Sequence, residues 1–318
     1  MKRVLVCGGN GFLGRNFLQS TRTKDWHIRA TYHSTQPDLT TYPNVEWVYA
    51  DLTNMKYVRE SLKDMDIVVQ LAATTSGAKD ILNKPYIHVT DNAVMNSLLL
   101  RECFNQKIEH FVFPSCTVMY QTSDKPLKEE DFNPSQDPNP KYFGAAWTKV
   151  YLEKMCEFYS RLSANNTKFT IFRHSNIYGP HDKYDLEKSH MCAATITKVM
   201  TSDDKVVVWG DGQEKRDLLY VDDLIDFIHA AIERQEKKHL LLNVGCGDAV
   251  SVQRLVETAI KLSGKNLRIE YDTTKPTIPT SLSLDSSKAK EAFGWEPRTS
   301  LEEGLLKTFQ WYKENIHD

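Results

Sequence analysis

The sequence predicts an α/β protein with a doubly wound parallel sheet and a smaller, discontinuous α/β lobe. Three observations indicate this architecture. A short apolar strand pattern at residues 3–7 leads directly into Gly8, Gly11 and Gly14, which are spaced three residues apart. Strand and helix patterns then alternate as far as residue 173, which is typical of parallel strands joined by crossover helices. Beyond that point the alternation stops, and short strand patterns mix with helices.

The glycine turn has the spacing of a Rossmann-type dinucleotide site. The first glycine permits a tight turn, the second lets a pyrophosphate approach the backbone, and the third allows close helix packing. The helix that begins after the turn presents backbone amides to the phosphates. An ordinary loop could carry the same glycines, but the position directly after the first strand favours cofactor binding. We expect the contacts from Gly8, Gly11, Phe12, Leu13 and Gly14.

The loop after the second strand pattern bears on the choice of cofactor. Residues 27–32 lead into the letters TYHST at 31–35, without the acidic residue that would bind a ribose 2′-hydroxyl. His33 and Ser34, together with Arg15, could instead face a 2′-phosphate. The sequence therefore favours NADP over NAD, although a loop without any cofactor contact would look the same.

The next two strand patterns end in further cofactor candidates. Asp51 follows residues 45–50 and could accept a hydrogen bond from an adenine amino group or cap the following helix, with Leu52 beside it. The fourth strand pattern ends in Leu71, Ala72 and Ala73, which we expect to lie along the cofactor.

The end of the fifth strand pattern, residues 111–114, is the predicted substrate position. Ligands of such sheets bind beyond the carboxyl ends of the strands, so Ser115, Cys116 and Thr117 should lie next to the substrate. A polar, proline-rich loop then leads to a long helical pattern that carries Lys149.

Composition excludes several classes of protein. The net charge of the 318 residues is −2, so nothing indicates bulk attraction to nucleic acid or to an anionic membrane. No apolar run approaches the roughly 20 residues needed to span a bilayer. The six cysteines have no paired spacing, which predicts reduced thiols in the cytoplasm and no metal site.

Two long stretches make a family recognisable. NIYGPHDKYDLEKSHM and VVVWGDGQEKRDLLYVDDL, together with the glycine turn, LAA and the lysine-bearing helix, resemble the extended short-chain dehydrogenases that act on nucleotide sugars. The similarity is greatest to the GDP-L-fucose synthase branch of the NAD-dependent epimerase/dehydratase family and covers nearly the whole chain. It implies NADP or NAD as cofactor, a GDP-linked sugar as substrate and a homodimer.

The resemblance also implies how the chain divides. Residues 1–178, with about 218–245, would form the dinucleotide-binding domain. Residues from about 179 to 217, with 246–318, would form the nucleotide-sugar-binding lobe. The active site would lie in the cleft between them.

The same resemblance assigns roles at the centre of the site. Lys149 would bind the nicotinamide ribose and lower the pKa of a tyrosine four residues earlier, on the same helix face. That position holds Ala145. Tyr142 cannot replace the tyrosine on an unbroken helix, because it lies about 10 Å along the axis from Lys149, against about 6 Å for the usual spacing.

Further positions match substrate contacts of the family. His190 would exchange a ring proton or contact the sugar, while Trp209 and Arg216 would contact nucleotide and diphosphate. Lys198 would be a basic substrate contact, and Asn176 begins the matching stretch. From the residues alone, His190 could be structural and Arg216 could form a surface ion pair.

Departures from the family pattern leave alternatives open. Cys116 occupies the position of a sugar-binding hydroxyl, and Val118 that of the epimerising cysteine. Ser281 and Leu282 stand where the branch carries basic residues, which argues against double epimerisation. Ala145 fits either an engineered, disabled C4 reductase or dehydrogenase, or a natural, non-catalytic binding protein. A 4-epimerase or dehydratase is a further alternative, although the Asp-Glu pair typical of dehydration is absent.

Overall fold

The computed structural model describes residues 1–75, 84–275, 277 and 280–316. Its strands are, in chain order, β1 (Arg3–Cys7), β2 (His27–Tyr32), β3 (Val45–Tyr49), β4 (Ile67–Gln70), β5 (His110–Pro114), β6 (Lys168–His174), β7 (Asn176–Tyr178), β8 (Lys205–Trp209), β9 (Lys215–Tyr220), β10 (His239–Val244), β11 (Ala249–Ser251) and β12 (Arg268–Asp272). Its helices are α1 (Phe12–Gln19), α2 (Met55–Leu62), α3 (Thr90–Asn105), α4 (Phe143–Arg161), α5 (Met191–Thr201), α6 (Val221–Arg234), α7 (Val252–Ser263), α8 (Ser287–Phe293) and α9 (Leu301–Asn315).

The central sheet has seven strands in the order β10-β6-β5-β4-β1-β2-β3. Every neighbouring pair in it is parallel. The predicted doubly wound parallel sheet is therefore confirmed. The chain order changes direction between β1 and β4, and ligands of such sheets bind beyond the carboxyl ends of the strands at this position.

Both faces of the sheet are buried, which explains the continuous apolar runs in its strands. Val4 and Val6 of β1 belong to one core, which includes Phe17 of α1 and the side chains of α6. Leu5 and Cys7 point to the other core, formed with α2, α3 and α4. Alternate side chains of a strand point to opposite faces, so one apolar strand serves two layers of helices.

Two smaller sheets lie outside the central one. One has the order β11-β9-β7 and the other pairs β12 with β8. Strand patterns at residues 206–209, 240–244 and 268–271 of the sequence predict β8, β10 and β12, whereas the three strands of the first small sheet were not predicted. Strand β9 was missed because its apolar residues run directly into α6, so the strand and helix patterns merge.

The sequence has a helical pattern from about residue 85 to residue 104, but the helix in the structure starts later. Pro85–His88 forms a 3-10 turn, and α3 begins at Thr90.

None of the helices in the described ranges is long and apolar enough to cross a membrane.

Candidate active site

The glycine turn has a geometry that other residues could not adopt. Gly8 has φ of +73°, a left-handed conformation that residues with a Cβ rarely adopt. A Cβ on Gly14 would lie 2.3 Å from the carbonyl oxygen of Gly8, so only glycine allows α1 to pack against the turn. Thr31 of β2 holds the turn through bonds from the amides of Gly8 and Gly9, at 3.0 and 2.9 Å.

The N-terminus of α1 is open to an anion. Gly11 is the N-cap residue, and no side chain caps the helix. The first amides of the helix, including those of Phe12 and Leu13, therefore remain available for phosphate oxygens. A Cβ on Gly11 would meet only the carbonyl oxygen of Gly8, at 3.3 Å. These residues fit a dinucleotide pyrophosphate.

Asp51 is oriented by the residue two positions later. Its Oδ1 accepts bonds from the amide and hydroxyl of Thr53, at 3.0 and 2.7 Å, and these bonds lower the pKa of Asp51. The N-cap of α2 is Asn54, whose side chain accepts from the amide of Lys56. The capping alternative for Asp51 is therefore wrong, and Oδ2 of Asp51 makes no hydrogen bond to the described residues. Leu52 is almost completely buried.

Hydrogen bonds connect the first turn of α1 to the loop after β2. The guanidinium of Arg15 donates to Asn10 Oδ1 at 2.8 Å, and Asn10 Nδ2 donates to the carbonyl of Thr35 at 3.0 Å. His33 and Ser34 in this loop are exposed. Arg15 thus lies on the side of the turn where the sequence analysis expects a 2′-phosphate.

The segment after β4 lies against the glycine turn. A Cβ on Gly8 would be 2.7 Å from the Cα of Ala72. The side chain of Gln70 bonds to both the amide and the carbonyl of Ala72, at 3.2 and 3.1 Å. Leu71 is half-buried and Ala73 is exposed. Sequence analysis missed Gln70, because a buried amide inside a strand has no distinctive pattern.

Lys149 lies on α4, and its ammonium reaches the end of β5. It donates to the carbonyl of Pro114 at 2.8 Å and lies 4.8 Å from the ring centroid of Phe113. Burial lowers the pKa of Lys149, and the neighbouring Cys116 acts in the opposite direction. Ala145 is half-buried one turn earlier on the same helix.

The three residues after β5 differ in their availability. Ser115 is fully buried, and its hydroxyl donates to Glu153 Oε1 at 2.5 Å, so it is already occupied. Cys116 and Thr117 are only half-buried. Burial raises the pKa of the Cys116 thiol, and the charge of Lys149 partly offsets this. Cys116 and Thr117 are therefore the strand-end groups that a ligand can reach.

A buried polar network supports this strand end, and we call it the Glu153 network. Glu153 accepts from Ser115 and pairs with Arg173, whose NH2 lies 2.7 Å from Oε2. Arg173 also donates to the hydroxyl of Tyr120, which donates to Asn243 Oδ1 at 2.8 Å. Sequence analysis missed the network, although Glu153 lies four residues after Lys149 and the helical spacing could have indicated it.

Two histidines lie near the same strand ends. His190 is the N-cap residue of α5 and remains exposed; partial desolvation and the charge of Lys183 lower its pKa. His174 ends β6, and its Nδ1 is bonded to the carbonyl of Ser175 at 2.7 Å. Burial lowers the pKa of His174 to about 4, and the charges of Lys149 and His190 contribute. Sequence analysis did not single out His174.

The predicted nucleotide contacts lie on the smaller sheets. Trp209 ends β8 with its side chain exposed, and the ammonium groups of Lys198 and Lys275 lie 5.7 and 6.0 Å from its ring centroid. Lys198 also donates to the carbonyl of Val207 at 2.8 Å. An exposed aromatic ring beside two cations can stack on a nucleobase while the cations attract phosphate.

Arg216 lies on β9 and has an acidic neighbour. Its NH1 donates to the carbonyl of Thr280 at 2.9 Å, and its NH2 lies 3.9 Å from Glu214 Oε2. Asn176 is exposed, and its side chain donates to the carbonyl of Asp217 at 3.3 Å.

Within the described ranges, no group of three His, Cys, Asp or Glu side chains could hold a metal ion.

The family model described as NAD dependent epimerase/dehydratase matches residues 4–245. The chain belongs to this family. The family prediction is therefore confirmed. In this family member, the glycine turn and the amides of α1 fit a nicotinamide dinucleotide cofactor.

Known relatives and solved structures match this family member over nearly its whole length. A GDP-L-fucose synthase of Azorhizobium caulinodans is 30% identical and covers 98% of this chain and 96% of its own. A GDP-L-colitose synthase of Yersinia pseudotuberculosis is 27% identical and covers 98% and 97%. The crystal structure of a UDP-glucose 4-epimerase from Thermotoga maritima has a TM-score of 0.86 at 24% identity, covering 99% and 100%, and shows the same fold.

Proposed function

We propose that the chain is a nucleotide-sugar oxidoreductase that transfers a hydride between NADP(H) or NAD(H) and C4 of a GDP-linked 4-keto sugar. The observation that carries the proposal is the Lys149 ammonium at the end of β5, beside the half-buried Cys116 and Thr117. Relatives named GDP-L-fucose and GDP-L-colitose synthase support a GDP-linked substrate.

Each residue then has a defined task. The nicotinamide, when bound, supplies or accepts the hydride. Lys149 binds its ribose, and Cys116 and Thr117 hold the 4-oxygen of the sugar. His190 contacts the sugar or exchanges a ring proton. Ala145 offers no proton to the 4-oxygen, and losing a general acid typically costs about 10²- to 10⁴-fold in rate. Turnover by this chain is therefore poor.

The structure also supports assignments for the nucleotide parts of the two ligands, the cofactor and the sugar substrate. We infer NADP rather than NAD, because Arg15 and His33 flank the loop after β2 and no carboxylate stands at its start. Trp209 and Arg216, with Lys198 and Asn176, bind the nucleotide diphosphate. Under the predicted division, Lys198, Trp209 and Arg216 belong to the nucleotide-sugar lobe, whereas Asn176 lies at the end of the dinucleotide-binding domain.

A homodimer is supported by apolar side chains on two neighbouring helices. Val94 of α3 and Tyr151 and Phe158 of α4 are 39%, 50% and 58% exposed, and the two helices pack side by side. Tyr151 and Phe158 are seven residues apart and so lie on one helix face.

All six thiols are free, which agrees with the reducing cytoplasm that we infer as the location.

Restoring the phenol tests the proposal. We expect Ala145→Tyr to oxidise NADPH or NADH in the presence of GDP-4-keto sugars at least about 100-fold faster than the parent, measured by the absorbance of the reduced nicotinamide. The control is Ala145→Tyr combined with Lys149→Met, which should lose most of this gain because no ammonium lowers the pKa of the phenol.

The residue at position 145 also supports a second candidate, a non-catalytic protein that senses a dinucleotide and a nucleotide sugar. Calorimetry with GDP and with NADPH separates the two. If both ligands bind and Ala145→Tyr turns over in neither direction, the sensor replaces the reductase. If sugar products change without net consumption of the cofactor, the enzyme is a 4-epimerase or dehydratase instead.

A further inference from the structure

Three polar side chains meet beside the start of α4, where the proposed function assigns a role only to Arg216. We propose that Tyr142 and Glu214, next to Arg216, form a subsite that binds a hydroxyl group of the hexose in a nucleotide sugar. The inference rests on the proposed function, because it needs a diphosphate at Arg216, and it adds the residues that recognise the sugar.

The turn that carries Tyr142 and the strand that carries Arg216 bond to carbonyls that are close in sequence. Pro140–Tyr142 is a 3-10 turn, and Lys141 within it donates to the carbonyl of Thr277 at 2.7 Å. Arg216 donates to the carbonyl of Thr280, three residues further along the sequence. The turn before α4 and the start of β9 are therefore held by two residues only three positions apart.

The turn also changes what Tyr142 can reach. The sequence analysis considered Tyr142 on an unbroken helix with Lys149, but α4 begins at Phe143, and Tyr142 has φ of −107° and ψ of 2°. Its direction is therefore set by the 3-10 turn rather than by the face of α4 that carries Lys149. This geometry favours contact with substrate over the role of the missing acid.

The surroundings of the Tyr142 phenol identify the cleft it faces. The side chain is half-buried, and burial raises its pKa; the charge of Arg216 lowers it, while Glu214 and Cys116 raise it further. The phenol therefore lies near both Arg216, the proposed diphosphate contact, and Cys116, a proposed contact of the 4-oxygen. Its hydroxyl has no hydrogen bond to any residue in the described ranges, so it can both donate and accept.

Glu214 provides the second half of the subsite. Its side chain is 19% exposed, and Oε2 lies 3.9 Å from Arg216 NH2. Oε1 is buried and has no hydrogen-bond partner among the described residues. A buried acceptor without a partner is costly, and such groups in native proteins are normally satisfied by protein, water or ligand.

The chemistry of the three groups fits a sugar diphosphate better than a free nucleotide. A guanidinium binds phosphate oxygens in a forked geometry. A carboxylate only accepts, so Glu214 requires a hydroxyl or amino donor, and the phenol of Tyr142 suits a hydroxyl as well. The hexose of a nucleotide sugar places hydroxyl groups directly beside its diphosphate, whereas GDP ends at the β-phosphate.

Calorimetry on the full chain saturated with NADP⁺ tests the subsite. The variants are Tyr142→Phe and Glu214→Gln, and the probes are GDP-mannose, GDP, UDP-glucose and dTDP-glucose. We expect each variant to bind GDP-mannose about tenfold more weakly and GDP within about twofold of the parent, because only the hexose contacts are lost. Tyr151→Phe on α4 and Glu270→Gln on β12 are controls that should change neither affinity.

The remaining outcomes separate this inference from the proposed function. If the variants weaken GDP and GDP-mannose equally, the subsite binds the nucleotide and the inference is wrong. If they weaken neither, Tyr142 and Glu214 do not contact the ligand. If the parent binds only UDP- or dTDP-glucose, the GDP assignment fails, yet loss of that affinity in both variants still supports the subsite. If the parent binds no probe, both proposals fall. Unchanged thermal unfolding temperatures establish that the variants are folded.

Discussion

Lys149 illustrates how a single residue depends on its surroundings. Its ammonium is partly removed from water, and it compensates by donating to the carbonyl of Pro114 and by facing the ring of Phe113. Burial lowers its pKa because the charged form loses hydration. A ligand that accepts a hydrogen bond from this ammonium therefore gains more than it would at the surface.

Lys149→Met should weaken the binding of NADPH about tenfold, because a charge-assisted bond to the nicotinamide ribose is lost. Titration of cofactor fluorescence measures this. Lys154→Met is the matched control, since Lys154 lies on the same helix with its side chain 73% exposed. Equal losses in both variants would contradict a specific role for Lys149.

A second residue makes stability depend on pH. His229 is fully buried on α6, stacks on Phe17 at 5.0 Å between ring centroids, and has no hydrogen bond from either ring nitrogen within the described ranges. Burial lowers its pKa to about 4. In the folded state this histidine therefore binds a proton only at a lower pH than in the unfolded chain, where its pKa is about 6.5.

The free energy of unfolding should therefore fall as pH decreases from about 6.5 towards about 4, by up to about 3 kcal/mol from this residue, and be unaffected by it above that window. His229→Phe should make the decline shallower by this residue's share, measured by urea unfolding at several pH values, while His174, whose pKa is also lowered to about 4, continues to contribute. His27→Gln at an exposed position should leave the decline in place. A decline of unchanged steepness in His229→Phe would assign it to other groups.

At the scale of elements, α4 is bonded to the central sheet by Lys149 and Glu153, which lie about one helical turn apart. Lys149 bonds to the last residue of β5, and Glu153 bonds to Ser115 and to Arg173 of β6. These bonds fix the position of the helix along its axis. The distance between the lysine and the strand-end groups is therefore set by the Glu153 network.

Glu153→Ala should lower the free energy of unfolding by about 3–5 kcal/mol, because Arg173 would remain buried without its counter-charge. Chemical denaturation measures this. Glu157→Ala, one turn later, removes ion pairs with the exposed Lys154 and Arg161 and should cost less than about 1 kcal/mol. Comparable losses in the two variants would mean that the buried pair contributes no more than a surface pair.

The glycine turn allows a sharper comparison. A Cβ on Gly14 would clash with the Gly8 carbonyl at 2.3 Å, whereas one on Gly11 would lie 3.3 Å from that oxygen, a tight contact that a shift of a few tenths of an ångström relieves. Gly14→Ala should lower the unfolding temperature by several degrees, at roughly 1–3 kcal/mol for the overpacked contact. Gly11→Ala should leave stability nearly unchanged and weaken NADPH binding. Stability losses in the reverse order would contradict this packing.

For the whole molecule, the central sheet was predictable because its strands are apolar and its connections follow a regular alternation. Residues at the strand ends, such as Leu71 and Cys116, could be brought together by the rule that parallel strands end at one edge, whereas the place of Lys149 on α4 followed from the family resemblance. The hydrogen bond from Ser115 to Glu153 could not be predicted in this way, because Glu153 lies on α4 and not at a strand end. The direction of Tyr142 depends on a 3-10 turn whose letters also suit a helix.

The apolar face of α3 and α4 makes a prediction about assembly. Phe158→Glu should convert a homodimer into a monomer, because it buries a charge in the centre of that face. Sedimentation equilibrium measures the mass of 36.6 kDa expected for one chain. Leu306→Glu changes a residue of similar exposure on α9 and should leave the dimer intact. A parent that is already monomeric would refute the proposed interface.

Strand β10 has a consequence for how the protein is made. It completes the central sheet beside β6. The side chain of its Asn243 accepts from Tyr120 of the Glu153 network, and the backbone amide of Asn243 donates to Glu129 Oε1 at 2.6 Å. A ribosome releases this strand only after residues 179–217 of the second lobe have emerged. The nascent first half consequently waits with an unpaired sheet edge at β6, and Tyr120 and Glu129 lack their bonds to Asn243, so the central sheet is completed only after part of the second lobe has been made.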